Sequence, residues 1–238
     1  MTTPTADDAR IAAVPARLAA VRARIADAAR DAGRDPADVA LLLAAKTLPD
    51  AVVRAAVEAG ATLLGENRVQ ELVSHAPALA DLSPTVHLIG HLQSNKVAAA
   101  LPWVACVQSV DSLDVAERLS RRCADAGREL DVMVQVNVSG EPTKWGMAPD
   151  EAPGLAAGVA ALAHLHVVGF MTVGANSPDA AEVRAGYARL RAVRDDAVGS
   201  AGLQGATGLS MGMSRDLELA ISEGATIVRV GTAVFGPR

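Results

Sequence analysis

The sequence predicts a single (β/α)8 TIM barrel, an α/β fold in which eight parallel strands alternate with helices. Three observations favour it. Eight strand-like apolar runs occur along the chain, and helix-like segments separate most of them. The length of 238 residues is within the range of one such barrel. Half of the residues are hydrophobic but only 2% are aromatic, so the core must be aliphatic, as between helices and parallel strands.

An extra amphipathic helix is predicted before the first strand, over residues 5–32. Apolar residues recur there at steps of three and four, and Gly33 follows. Pro15 interrupts the pattern, so we expect the helix either to kink at this residue or to begin there. The helix would flank the barrel, and residues 1–238 are predicted to form one domain.

The eight predicted strands are 39–46, 61–65, 86–92, 104–110, 131–138, 165–173, 207–213 and 226–235. The predicted helices are 69–79, 94–100, 113–126, 150–163, 179–198 and 216–222, with another from Asp50 to Gly60. The seventh strand contains two glycines, which weaken a strand. An open doubly wound sheet is the alternative fold, but no GxGxxG motif follows the first strand.

Composition excludes several classes of function. The net charge of −5 and the lack of a basic tract argue against nucleic acid as a partner. Cys106 and Cys123 have no CxxC spacing, so neither a zinc site nor a disulfide framework is indicated. No apolar run approaches membrane-spanning length, and acidic residues precede the first apolar residue of the N-terminal segment, unlike in a signal peptide. We therefore expect a cytoplasmic protein without a metal, and the low aromatic content favours a monomer.

Lys46 lies at the carboxyl end of the first predicted strand. An apolar run leads into this lysine, and Pro49 ends the segment. The carboxyl ends of the strands are where barrels of this kind build their sites. An amine held among apolar side chains loses hydration and gives up its proton more readily, so it can form a Schiff base with an aldehyde. The alternative is a strand-end lysine whose ammonium group reaches solvent.

Two glycine-containing turns, at the ends of the seventh and eighth strand-like runs, form a candidate phosphate site. Ser214 is expected to be the N-cap of the next helix, while Gly231 and Thr232 offer close approach and a hydroxyl. Phosphate commonly binds after strands seven and eight of this fold, because backbone N–H groups and helix N-termini meet there. The alternative is that the glycines only serve tight turns and Ser214 only caps its helix.

Arg229 is a charge inside an apolar strand, so it needs a partner. That partner is either an acidic side chain in a structural ion pair or a ligand acceptor. Counting by twos puts Arg229 and Gly231 on one face of their strand, and Lys46 on one face of the first strand with Leu42 and Ala44. A lysine, an arginine and a phosphate site around one barrel mouth would suit the aldehyde, the ring nitrogen and the phosphate of pyridoxal 5'-phosphate (PLP).

Longer motifs carry a resemblance to a known family. The motifs, in chain order, are AAKT, GENRVQE, HLIGHLQSNK, QSVDS, NVSGEPTKWG, GFMTV, LSMGMSRDLELAI and RVGTAVFG. They resemble the pyridoxal phosphate homeostasis protein family, from about residue 39 to the C-terminus. That family is similar to the N-terminal barrel domain of alanine racemase. The resemblance implies that PLP is the cofactor, bound through a Schiff-base lysine, in a carrier or regulator of vitamin B6 balance without established turnover.

The cofactor-binding residues that the resemblance implies are Lys46, Asn67, Ser210, Met213, Ser214, Arg229, Gly231 and Thr232. Lys46 would form the Schiff base, Arg229 would face the pyridine nitrogen, and Asn67 would lie near the ring. The phosphate would contact the serines, Gly231 and Thr232. Two positions depart from the family pattern: Ala45 stands where serine is usual, and Trp145 is bulkier than expected in a mouth loop.

The residues also bear on whether the protein is an enzyme. Because arginine cannot accept a proton, Arg229 would leave the pyridine nitrogen unprotonated and the ring a weaker electron sink. A racemase needs a second acid/base group, yet Tyr187 falls in a predicted helix far from any predicted strand end, and His87 and His91 fall within a predicted strand, where histidines are usually structural.

We therefore predict a non-catalytic PLP carrier, with PLP-dependent apoenzymes as candidate recipients. Two alternatives stay open: a PLP-dependent racemase or lyase, and a class I aldolase-like barrel that uses Lys46 on a sugar phosphate.

Overall fold

The computed structural model describes residues 5–200 and 202–237, and it has the predicted closed barrel. Residues 1–4, 201 and 238 belong to the predicted domain but lie outside this description. Eight parallel strands follow one another around the barrel, and the last pairs with the first. The strands are β1 (Ala40–Ala44), β2 (Leu63–Glu66), β3 (Thr85–Leu88), β4 (Cys106–Val110), β5 (Leu130–Gln135), β6 (Leu165–Met171), β7 (Gly208–Ser210) and β8 (Ile227–Val230).

Helices surround the barrel. They are α1 (Ala6–Asp31), α2 (Asp50–Glu58), α3 (Val69–Ala78), α4 (Val97–Ala100), α5 (Leu113–Ala126), α6 (Ala152–Ala160), α7 (Ala180–Val198), α8 (Leu217–Ser222) and α9 (Thr232–Phe235). Short 3-10 turns at Pro36–Asp38, Ser94–Lys96 and Leu101–Trp103 precede β1 and flank α4. This alternation follows the predicted order of elements, although most observed strands are shorter than predicted.

The N-terminal helix α1 begins at Ala6 and continues through Pro15. The Thr5 side chain accepts a hydrogen bond from the backbone N–H of Asp8, whose carboxylate accepts one from the Thr5 backbone N–H, so a capping box sets the start. The alternative of a helix that begins at Pro15 is therefore wrong. The buried residues of α1 pack in the apolar core, and α1 contacts α2, α8 and α9.

The eighth predicted strand, residues 226–235, is two elements in the structure. Strand β8 ends at Val230, and Thr232–Phe235 forms the single helical turn α9. Similarly, β3 ends at Leu88, so His91 lies on a loop after the strand and not within it. In both places an apolar run continues past the barrel rim, and hydrophobicity alone does not mark where pairing stops.

The apolar core has two parts, one on each face of the barrel wall. The larger part consists mainly of buried aliphatic side chains between strands and helices, among them Leu43, Ala45 and Leu64. A small second cluster contains Cys106, Met133 and Met171. Burying a side chain of Leu or Val size contributes about 1.5–3 kcal/mol, so the larger part supplies most of the stabilisation.

Within residues 5–200 and 202–237, no helix has the length and apolar character required to cross a bilayer. The same residues include no group of three or more His, Cys, Asp or Glu side chains arranged to hold a metal ion.

Candidate functional site at the barrel mouth

Lys46 lies two residues beyond the end of β1, at the rim of the barrel. Its side chain lines a cavity of about 240 Å³ together with Gly231 and Thr232, which follow the neighbouring strand β8. Among the described residues, the Lys46 amine has no hydrogen-bond or ion-pair partner. Arg10 of α1 reaches the same cavity, a neighbour that the sequence analysis did not identify. The cavity therefore holds a free amine beside a glycine turn and a hydroxyl.

The turns after β7 and β8 meet beside this cavity. The Thr232 hydroxyl donates to the Ser214 hydroxyl oxygen at 3.3 Å, and the backbone N–H of Ala233 donates to the same oxygen at 3.4 Å. Gly212 allows the first turn, because its φ of +90° favours glycine and a Cβ there would lie 2.4 Å from Ala220. At Gly231 a Cβ would lie 3.3 Å from the Ala44 carbonyl oxygen, so glycine lets β8 end close to β1.

Ser214 is not the N-cap of the following helix, which corrects the sequence prediction. Helix α8 begins at Leu217, and Asp216 precedes it. The Asp216 carboxylate accepts a hydrogen bond from the Met213 backbone N–H at 2.6 Å, and this bond closes a turn between β7 and α8. Because α8 and α9 are only six and four residues long, an anion at these turns would be bound more by hydroxyls and backbone N–H groups than by helix dipoles.

Arg229 is buried inside the barrel, and hydrogen bonds to neighbouring strands hold its guanidinium group. Its Nη1 donates to the Ser210 carbonyl oxygen at 2.6 Å and to the Ser210 hydroxyl at 2.8 Å. Its Nη2 donates to the Thr172 carbonyl oxygen at 2.6 Å. Burial lowers the pKa of Arg229 to about 10, so the group remains charged at neutral pH. No carboxylate lies within 4 Å of the guanidinium group among the described residues, so the structural ion pair considered from the sequence does not form there.

A chain of hydrogen bonds runs from Arg229 to the other side of the barrel. Because guanidinium only donates, the Ser210 hydroxyl accepts from Arg229 and donates to Gln108 Oε1 at 2.6 Å. The Gln108 Nε2 then donates to His87 Nδ1 at 2.7 Å. His87 is therefore a neutral imidazole, and burial lowers its pKa to about 4. From the sequence, Gln108 appears only as the first residue of the QSVDS motif and has no assigned role, since the type of a buried strand residue does not reveal its partners across the barrel.

Three further residues of the predicted site lie at the same end of the barrel but not in the Lys46 cavity. Asn67, just past β2, lines a separate cavity of about 430 Å³ that also includes Arg68 and His91. Met213 is 38% exposed on the turn after β7. Ser210 is fully buried, and its hydroxyl already bonds Arg229 and Gln108. The geometry thus groups Lys46, Ser214, Gly231 and Thr232 at the rim and sets Ser210 with Arg229 below them.

Two aromatic residues bear on acid/base chemistry at the mouth. The indole of Trp145 stacks on the His91 imidazole, with ring centroids 3.7 Å apart. Tyr187 is not far from a strand end, contrary to the sequence expectation, since its hydroxyl lies against Gly174 just after β6. Burial raises the pKa of Tyr187, so the phenol stays protonated. Ala45, the other departure from the family pattern, is buried in the core outside the barrel, away from the Lys46 cavity.

This chain is similar in sequence to proteins named for pyridoxal phosphate homeostasis. The Pseudomonas aeruginosa pyridoxal phosphate homeostasis protein is 46% identical over 214 residues, 90% of this chain and 91% of the relative. The chain belongs to the pyridoxal phosphate homeostasis protein family. The family member of Aquifex aeolicus is 39% identical, over 90% of this chain and 93% of the relative. Residues 17–238 also match the family model described as alanine racemase, N-terminal domain.

Solved structures agree with this membership of the pyridoxal phosphate homeostasis protein family. PipY of Synechococcus elongatus PCC7942, solved with PLP bound, superposes with a TM-score of 0.83 at 35% identity. The match covers 94% of this chain and all of PipY. Alanine racemase of Corynebacterium glutamicum has a TM-score of 0.69 at 20% identity, over 93% of this chain and 62% of the racemase. The racemase likeness concerns the barrel fold alone.

Proposed function

We propose that this protein binds PLP as a Schiff base on Lys46 and acts in PLP homeostasis, as a carrier and not as a catalyst. The observation that carries the proposal is the Lys46 amine, unpaired within the described part of the chain, in one cavity with Gly231 and Thr232. Two findings support the same cofactor: the protein belongs to a family whose members are named for PLP homeostasis, and PipY has been solved with PLP bound.

The residues fit the cofactor by charge as well as by position. PLP supplies an aldehyde to an amine, an anionic phosphate and an aromatic ring nitrogen. The Ser214 and Thr232 hydroxyls and the amide groups of the two turns suit the phosphate. Arg229 has no carboxylate partner within 4 Å among the described residues, so a neutral ligand acceptor such as a ring nitrogen would accept a hydrogen bond from one of its remaining N–H groups. The three groups converge on the end of the barrel where β7, β8 and β1 meet.

Each residue then has a distinct role. Lys46 supplies the attached amine, and Ser214, Gly231 and Thr232 orient the phosphate. Arg229 donates to the ring nitrogen, which therefore stays unprotonated. We assign Ser210 the role of positioning Arg229, because its hydroxyl already accepts a hydrogen bond from Arg229 and donates one to Gln108. Asn67 and Met213 would border the bound ring from the neighbouring loops.

The decisive experiment is intact-mass measurement after incubation with PLP and reduction with borohydride, followed by peptide mapping. The chain has only three lysines, Lys46, Lys96 and Lys144, so the attachment point is resolved directly. We expect one phosphopyridoxyl group on Lys46, and none in the Lys46→Ala variant. Lys144→Ala is the matched control, since the Lys144 amine is already bonded to Glu141 at 2.6 Å. Modification of Lys96 or Lys144 in the parent protein would contradict the assignment, and trapping of an added sugar phosphate would favour the aldolase-like alternative.

A PLP-dependent racemase or lyase is the second candidate, and His91 at the mouth is the observation that favours it. His87 is neutral and committed to Gln108, and Tyr187 is a buried phenol with a raised pKa, so His91 is the histidine closest to the role of acid/base. Proton NMR of amino acids with the PLP-loaded protein in deuterated water tests this. We expect no loss of the α-proton signal; stereospecific loss that disappears in His91→Gln would establish the enzyme instead.

A further inference from the structure

The turn that carries Lys46 has an unfavourable backbone conformation. Thr47 has φ of +55°, a region in which a β-branched side chain is sterically disfavoured. The Thr47 hydroxyl donates to the Lys46 carbonyl oxygen at 2.8 Å, but this local bond would be available in other turn geometries as well. Such strain persists only where surrounding contacts impose it, and it concentrates at functional sites.

A contact from outside the barrel reaches the residue that follows Thr47. The His75 Nε2 of α3 donates to the Leu48 carbonyl oxygen at 2.9 Å, one residue after Thr47. The His75 Nδ1 lies 2.8 Å from Glu66 Oε1, at the end of β2. His75 and Glu66 are 6% and 1% exposed. A buried carboxylate thus orients a buried imidazole, which holds the backbone of the Lys46 turn.

The protonation of the pair suits this role. Because Nε2 faces a carbonyl oxygen, it must carry a hydrogen, and the second proton of the pair lies between Nδ1 and the Glu66 carboxylate. The hydrogen bond to Glu66 raises the pKa of His75, and burial raises that of Glu66. The carboxylate of Asp50, 3.6 Å from His75 Nε2, adds to the attraction from the solvent side. The imidazole therefore keeps its donor toward Leu48.

We propose that Glu66 and His75 are positioning residues for Lys46, which hold the strained turn so that the amine stays beside Gly231 and Thr232. The Lys46 amine has no polar partner of its own among the described residues, so the turn, which sets the direction in which the side chain leaves the backbone, is the contact-held part of this residue. This inference rests on the proposed function for the identity of the aldehyde, and on geometry alone for the position of the amine.

The test compares two polar replacements of His75. Gln at position 75 can still reach Leu48 with an amide donor at the Nε2 position, whereas Asn can reach only toward Glu66. We expect His75→Asn, like His75→Leu, to lower PLP affinity about tenfold, equivalent to 1.4 kcal/mol, and His75→Gln to stay within about threefold of the parent. Affinity is read from the absorbance of the bound cofactor, and unfolding in urea is measured in parallel.

A second substitution separates positioning from general destabilisation. Thr47→Gly removes the steric penalty at positive φ, so in the His75→Asn background it should recover most of the lost affinity. If the double variant binds PLP as weakly as His75→Asn, or if His75→Asn binds like the parent, the proposal is wrong. The Asn and Gln variants decide the question even if His75→Leu does not fold.

A readout without PLP keeps this inference separate from the proposed function. Limiting reductive methylation of the PLP-free protein, with peptide mass spectrometry, gives the ratio of labelling at Lys46 to labelling at Lys96. We expect that ratio to change at least about threefold in His75→Asn and to return toward the parent value with Thr47→Gly. An unchanged ratio would overturn the positioning role. If the parent protein shows this behaviour but never attaches PLP to Lys46, the proposed function fails while the positioning of Lys46 stands.

Discussion

Lys46 and Arg229 are the two basic side chains that we propose to contact PLP, and the protein holds them in opposite ways. The Arg229 guanidinium is fixed by three hydrogen bonds inside the barrel. The Lys46 amine has no such partner among the described residues, and only the backbone of its turn is held, by His75. A group that recognises a ligand gains from fixed donors, whereas a group that forms a covalent bond must keep its lone pair available.

The largest expected effect concerns the fixed cation. Arg229→Gln should weaken PLP binding about 10- to 100-fold, because a charge-assisted hydrogen bond contributes roughly 1.5–3 kcal/mol. The stability of the PLP-free protein should change by less than about 2 kcal/mol, since relief of the buried charge offsets the lost hydrogen bonds. Absorbance titration and urea denaturation measure the two quantities, with the surface variant Arg118→Gln as control. Unchanged affinity would remove Arg229 from the ring contact.

The next largest effect is expected from a variant that breaks the hydrogen bonds below Arg229 and leaves Lys46 and Arg229 unchanged. Gln108→Leu removes the acceptor of the Ser210 hydroxyl proton and the donor to His87 Nδ1, while the bond from Arg229 to Ser210 remains. We expect a loss of about 1–3 kcal/mol in the free energy of unfolding, while borohydride still traps PLP on Lys46. Loss of trapping in a folded Gln108→Leu protein would mean that Lys46 and Arg229 are not held independently.

A third prediction concerns how the free energy of unfolding depends on pH, because His87 is neutral in the folded protein. Burial lowers the pKa of His87 from 6.5 to about 4. Between these values the unfolded chain takes up a proton that the folded protein does not, so stability is retained above pH 6.5 and falls as the pH drops toward 4. In His87→Asn, whose side-chain oxygen can still accept from Gln108, the part of this loss due to His87 should disappear. Urea denaturation at pH 7 and pH 5 should then show a decrease smaller by about 1–2 kcal/mol than in the parent; an equal decrease would show that His87 titrates normally.

The smallest effect is expected at Trp145, on the loop between β5 and α6. Trp145 is 60% exposed and contacts His91 by stacking. Trp145→Ala should change stability by less than about 1 kcal/mol and PLP affinity by less than about threefold, with Trp145→Phe as the control that keeps a stacked ring. A tenfold loss of affinity restored by Phe would instead make the stack part of the cofactor site.

Much of the fold could be predicted from local patterns. The α5 prediction, residues 113–126, agrees with the structure because Ser112 caps its start and Gly127 ends it in the left-handed conformation. Strand ends were predicted less well. The apolar runs at 86–92 and 226–235 continue past the last paired residue, since the chain stays buried against the helices after it leaves the barrel. For Ser214 the side-chain type suggested an N-cap, but the capped helix begins three residues later, at Leu217.

By itself, the sequence determined the barrel, the order of its elements and the presence of Lys46, Arg229, Gly231 and Thr232 at strand ends, because apolar periodicity and residue type are local properties. Only the tertiary structure decided what holds them. Gln108 meets Ser210 across 102 positions of sequence, and His75 meets Leu48 across 27. Such contacts depend on which strands become neighbours when the barrel closes, and no local pattern in a single chain encodes that distance.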